Sequence, residues 1–90
     1  MAELIWQTYD PEWLVTLAEQ QARKEMWLRD ALRRCTRMAE ESRAYIYFVH
    51  PKYWRFQRNL MLYSKKEGDL VLDISEGERV GSIEFLKRIR

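Results

Sequence analysis

Apolar residues recur along the first half of the chain at helical spacing and along the second half at strand spacing. Asp10-Pro11-Glu12 opens the helical stretch. The Asp10 carboxylate can accept from orphan backbone N–H groups, Pro11 fits a first turn, and Glu12 complements the helix dipole. From Pro11 to about Glu41 no glycine or further proline intervenes, and Leu14, Leu17, Ala18, Leu28, Leu32, Cys35 and Ala39 fall on one face. Trp13, Trp27, Ala31 and Met38 widen that face. Gln21 and Glu25 interrupt it, so the helix either breaks near 21–25 or has a wet centre. Unbroken, it would run to about 46 Å at 1.5 Å per residue. That exceeds the width of a domain this size, so it would protrude or pair with a second chain.

After Ser42 the period shortens to two. Tyr45-Ile46-Tyr47-Phe48-Val49 reads as a strand ended by Pro51, and Asn59 to Tyr63 as the next. Lys65 to Asp69 has hairpin-loop composition and leads into Leu70 to Ile74; Ser75-Glu76-Gly77-Glu78 turns again before a last strand, Val80 to Leu86. Leu4-Ile5-Trp6 adds a candidate edge strand. The pattern predicts an α+β fold: a long N-terminal helix on a three- or four-stranded antiparallel β-meander. Without repeat or linker, residues 1–90 form one domain, helical over about 11–41 and sheet over about 44–87.

An apolar fraction of 47% with 13% aromatics can offset the entropy of ordering, so the chain folds. The net charge of +2 hides an asymmetry: residues 23–66 carry 12 Lys/Arg against 4 Asp/Glu, 1–22 carry none against 4, and 67–90 carry 4 against 6. The single cysteine, Cys35, has no disulfide partner within the chain and fits a reducing compartment. Met1 to Trp6 lacks the basic leader and apolar run of a secretory signal, and no stretch reaches the roughly 18–20 apolar residues of a membrane span. The chain reads as cytoplasmic, with no membrane association.

Catalytic and cofactor chemistry finds little footing. His50 is the only histidine, so no His pair or two-histidine metal site can be assembled within one chain, and its place before Pro51 suits a strand-end residue bonded to backbone. Cys35 lies on an apolar face, where a thiol packs as a small hydrophobe. No phosphate loop, dinucleotide fingerprint, nucleophile elbow or zincin motif occurs. Asp73 and Glu84, on adjacent predicted strands, are the carboxylates that could meet across a sheet face as an acid–base pair. Simple alternation, polar residues to water and Leu72, Ile74, Ile83 and Phe85 inward, is the preferred account of them.

The segment most suggestive of binding is His50-Pro51-Lys52-Tyr53-Trp54-Arg55-Phe56-Gln57-Arg58, where cations alternate with rings. Bases stack on rings while Lys and Arg hold phosphates, so Lys52, Tyr53, Trp54, Arg55 and Arg58 could bind single-stranded nucleic acid. Arg33 and Arg37, with Arg23 and Arg34, would extend that surface along the helix. The same rings could instead close the core, and burial of Trp54 would remove the main stacking residue.

Gly68-Asp69-Leu70-Val71-Leu72-Asp73 with Gly81-Ser82-Ile83-Glu84-Phe85-Leu86 resembles the closing hairpin of the small bacterial YuzE-like proteins, over about a fifth of the chain. That resemblance implies no chemistry, and the helix-first plan departs from the family's strand-first one. Trp, Tyr and Arg dominate binding hot spots. The sequence therefore reads first as a non-catalytic protein-interaction module, a small bacterial or phage regulator or inhibitor, with no cofactor or small-molecule substrate. Self-association into a homodimer would use Trp27 and Met38. Nucleic-acid binding through 50–58 and the basic helix face is the alternative.

Overall fold

The structure, a computed structural model, describes residues 3–89. Two helices, α1 (Glu12–Gln21) and α2 (Met26–Arg33), pack on one face of a sheet of six strands: β1 (Trp6–Thr8), β2 (Arg37–Ser42), β3 (Tyr45–Tyr47), β4 (Phe56–Ser64), β5 (Gly68–Ser75) and β6 (Arg79–Phe85). The strand order is β1-β2-β3-β6-β5-β4, and every neighbouring pair is antiparallel. Strands β4, β5 and β6 form a meander, and β6 then pairs with β3. The α+β class and the sheet-covering helices agree with the hydrophobic pattern.

The single long helix does not form. The chain leaves α1 at Ala22, whose φ of −129° and ψ of 50° are not helical, and re-enters a helix at Met26. A rod of about 46 Å would also outrun a body measuring 38 × 30 × 23 Å. Residues Arg37–Ser42, good helix formers by propensity, are a strand instead. They lie between β1 and β3 and satisfy backbone groups on both edges, which no isolated helical turn there could match. Tertiary pairing thus overrides local preference. The sheet therefore has six strands rather than three or four, takes in 6–8 and 37–42, and leaves the helical part ending at Arg33. The N-terminal strand is Trp6–Thr8, two residues beyond the segment expected.

The core lies in one layer between helices and sheet. Leu14, Leu28 and Leu32 from the helices, and Leu70, Leu72, Ile74 and Ile83 from the strands, are fully buried. Cys35, in the turn after α2, is buried beside them; its Sγ lies 3.4 Å from the Ala31 carbonyl, and burial pushes the thiol up to about 12.

The polar residues that break the apolar stripe are the ones that tie the helices to β4. The Gln21 amide donates to the Tyr63 carbonyl at 2.6 Å and accepts from the Tyr63 N–H at 2.7 Å, pairing both outward backbone groups of an edge residue. Glu25 accepts from the Arg58 guanidinium at 3.3 Å and from the Trp27 indole N–H at 2.7 Å, which holds its carboxyl below the usual range.

Two outcomes follow for the folded protein. Gln21→Ala should cost about 1–2 kcal/mol in a urea titration, because it strips both bonds from Tyr63. In the native state at pH 8, Cys35 should stay inert to a thiol reagent that labels the urea-unfolded chain within seconds, since at about 12 it is not thiolate there.

Candidate functional site

The crossover from β3 to β4 passes over the end of the sheet and carries the basic and aromatic segment with it. Phe48 and Val49 donate N–H bonds of 2.8 and 3.2 Å to the Gly81 carbonyl, anchoring the start of the crossover on β6. His50 Nδ1 accepts from the Lys52 N–H at 3.1 Å and caps a 3-10 turn, Pro51–Tyr53, the backbone-bonding role its position suggested. Trp54 then lays its indole on Gly81 and donates Nε1–H to the Val49 carbonyl at 3.0 Å. Only glycine admits this: a Cβ at position 81 would lie 2.4 Å from Trp54 Cε2. Gly81 is also the extra residue of a bulge, because Asp73 pairs with Ser82 while Ile74 pairs with Val80. Trp54 is thus a half-buried fixing residue with one face covered. Tyr53, 73% exposed, is the free ring, beside His50 at 5.4 Å between centroids.

This seating brings Lys52, Tyr53 and Arg55 against the β5–β6 turn, around a concavity of about 380 Å3 that Arg79 also lines. The turn itself is tight, with positive φ at both Gly77 and Glu78 (78° and 57°).

The remaining predicted residues do not join them. Arg33 is paired with Glu12 and Asp30 at 3.8 and 3.7 Å on the helices. Arg58 points to the helix side, bound to Glu25 and 5.7 Å from the centre of the Trp27 ring. Arg37 is on β2 with its guanidinium 5.9 Å from the Trp6 ring, not on a helix beside Arg33. The helical acids Glu12, Glu19, Glu25 and Asp30 each take up an arginine, so no unbroken basic helix face exists. The surface suggested for self-association does not assemble either. Trp27 is packed on the core under Arg58, and Met38 is a buried strand residue facing a groove of about 750 Å3 that Trp13, Leu17 and Phe85 also line.

The helix-free face of the sheet is a polar and aromatic surface that sequence reading only half anticipated. Asp73 is its centre: Tyr45 Oη and Ser82 Oγ donate to Oδ2 at 2.7 and 2.6 Å, and Asn59 Nδ2 donates to Oδ1 at 2.6 Å. Burial, with Asp73 beside it, pushes the Tyr45 hydroxyl far above the usual tyrosine range. Tyr45 meets Tyr47 edge-on at 5.1 Å. Glu84 does not oppose Asp73; it pairs across the strands with Tyr45 and Val71. The two carboxylates therefore do not form the facing pair their sequence positions suggested.

Along β4, at the sheet's edge, Phe56, Met61 and Tyr63 are 57%, 55% and 54% exposed. Met61 and Tyr63 share the helix-free face with Asn59, opposite Val71, Asp69 and Asp73. Period-two alternation against inward Leu60 and Leu62 was the signal for them. Arg79 carried no such signal, since only the crossover sets it beside Lys52.

Among the described residues, no cluster of His, Cys, Asp and Glu could hold a metal ion, and no helix is long and apolar enough to cross a membrane.

Gly81→Ala should unseat Trp54, destabilise the domain by about 1–3 kcal/mol and raise acrylamide quenching of tryptophan fluorescence. Gly77→Ala, which strains the left-handed turn but whose Cβ meets no atom within 4 Å, should cost about 1 kcal/mol and leave quenching unchanged.

No family model, curated protein or solved structure matches this chain, so the likeness of its closing hairpin to the YuzE-like proteins has no family match behind it.

Proposed function

We propose that this protein is a non-catalytic protein-binding module, a small regulator or inhibitor working in the cytoplasm, that engages its partner through strand β4 and the helix-free sheet face beside it. The observation that carries this reading is the clustering of Phe56, Met61 and Tyr63, all more than half exposed, on one nine-residue edge strand. Large apolar side chains scattered over a surface need no account, but a row of them on an edge strand invites pairing or docking. Aromatic and Met side chains are also enriched in interface cores.

The neighbouring chemistry supports it. The Asp73 network holds Tyr45, Ser82 and Asn59 in place, so the surface is rigid before a partner arrives and loses little entropy on binding. Gln21 closes the backbone edge at Tyr63, leaving side chains there as the means of contact. Arg58 is neutralised by Glu25, so the strand presents apolar side chains without a free charge at that position.

Met61→Asp with Tyr63→Asp, both on solvent-facing positions, should preserve the circular-dichroism spectrum and weaken partner binding by about 30-fold or more, the loss that a single hot-spot residue of about 2 kcal/mol already gives. The readout is affinity capture from lysate, quantified against wild type and an Arg29→Glu control. A partner set retained equally by all three proteins would refute the β4 assignment.

A further inference from the structure

Independently of the β4 surface, the geometry points to a phosphate-binding site at the end of the sheet, formed by Lys52, Arg55 and Arg79 with Tyr53 as a base-stacking ring, that takes single-stranded nucleic acid. Three observations meet there. The crossover and the start of β6 bring the three cations around one concavity of about 380 Å3. None of their side chains makes an ion pair or hydrogen bond among the described residues, whereas Arg29, Arg33, Arg58 and Arg88 are all paired with carboxylates. Three cations without an ion-pair partner outnumber the one carboxylate on the rim, Glu76, and their mutual repulsion is relieved by an anion. The ring beside them, Tyr53, is 73% exposed and anchored on the capped turn, so a base can stack on it without displacing the core.

Arg34 lengthens the site. It lines, together with Arg79 and Val49, a smaller cavity of about 150 Å3 that shares Arg79 with the first, so positive charge continues from the crossover to the end of α2. A track of cations longer than one phosphate suits a chain of phosphates better than a single ion. Glu76, the carboxylate on the rim, opposes the anion and shapes where it can lie.

The test is fluorescence anisotropy of a labelled 12-residue oligothymidylate at about 50 and 200 mM salt. Three phosphate contacts on a single strand give a slope near −2 in log K against log salt, so affinity should fall roughly 20-fold over that range. Arg55→Glu with Arg79→Glu should abolish binding, and Tyr53→Ala should weaken it about tenfold. Glu76→Gln should tighten it, a gain that misfolding cannot mimic. Arg29→Glu, on the helices, should change nothing. Absence of binding at 50 mM salt overturns the proposal, as does binding indifferent to the Arg55/Arg79 reversal. Thymidine monophosphate or inorganic phosphate competing as well as the oligomer would show a site for small phosphates and overturn the nucleic-acid assignment.

Discussion

Leu14, Leu28 and Leu32 reach zero exposure against Leu70, Leu72 and Ile83, and that single apolar layer governs the rest of the molecule. Two short helices supply enough apolar surface to cover one face of a six-stranded sheet and no more. Burial of that layer is the main favourable term in folding, and it leaves the opposite face to be stabilised without a covering layer. The chain does this with hydrogen bonds rather than with apolar packing. Asp73 draws Tyr45, Ser82 and Asn59 into one network across strands β3, β4, β5 and β6.

A one-sided core also explains where exposed chemistry is found. Rings that face the helices, such as Phe85 and Phe48, are buried; rings on the other side or on the edge, Tyr63 and Phe56, are not. The residues available for recognition are therefore those that the core could not use. The two surfaces they form differ in character. The β4 strip is apolar and near-neutral, and the crossover end is cationic with one free ring, so each fits a different kind of partner.

Trp54 on Gly81 links core and surface. A large ring seated on a bulged glycine fixes a connector that would otherwise be a loose loop, and so fixes the distance between Lys52, Arg55 and Arg79. Its role is structural, and Tyr53 next to it is the ring left free. The same logic applies at Gln21 and Glu25, where polar residues inside an apolar stripe hold the helix pair to the edge strand.

What the sequence by itself determined is what short-range physics decides. The α1 start at Asp10-Pro11, the β3 to β6 strands with period-two alternation, the turns at 65–67 and 76–78, and the interruption of the helical stripe at 21–25 all follow from residue type and spacing. Tertiary structure alone decided the rest. Residues 37–42 have helical propensity and became a strand, because pairing with β1 and β3 satisfies more backbone groups than a local helix can. Likewise, the arginines at 33 and 58 are indistinguishable in sequence from those at 55 and 79; ion pairing to Glu12, Asp30 and Glu25 withdraws the first two, and the seat of Trp54 on Gly81 brings the others together. Charge availability is a property of three-dimensional neighbours, and no spacing rule along the chain encodes it.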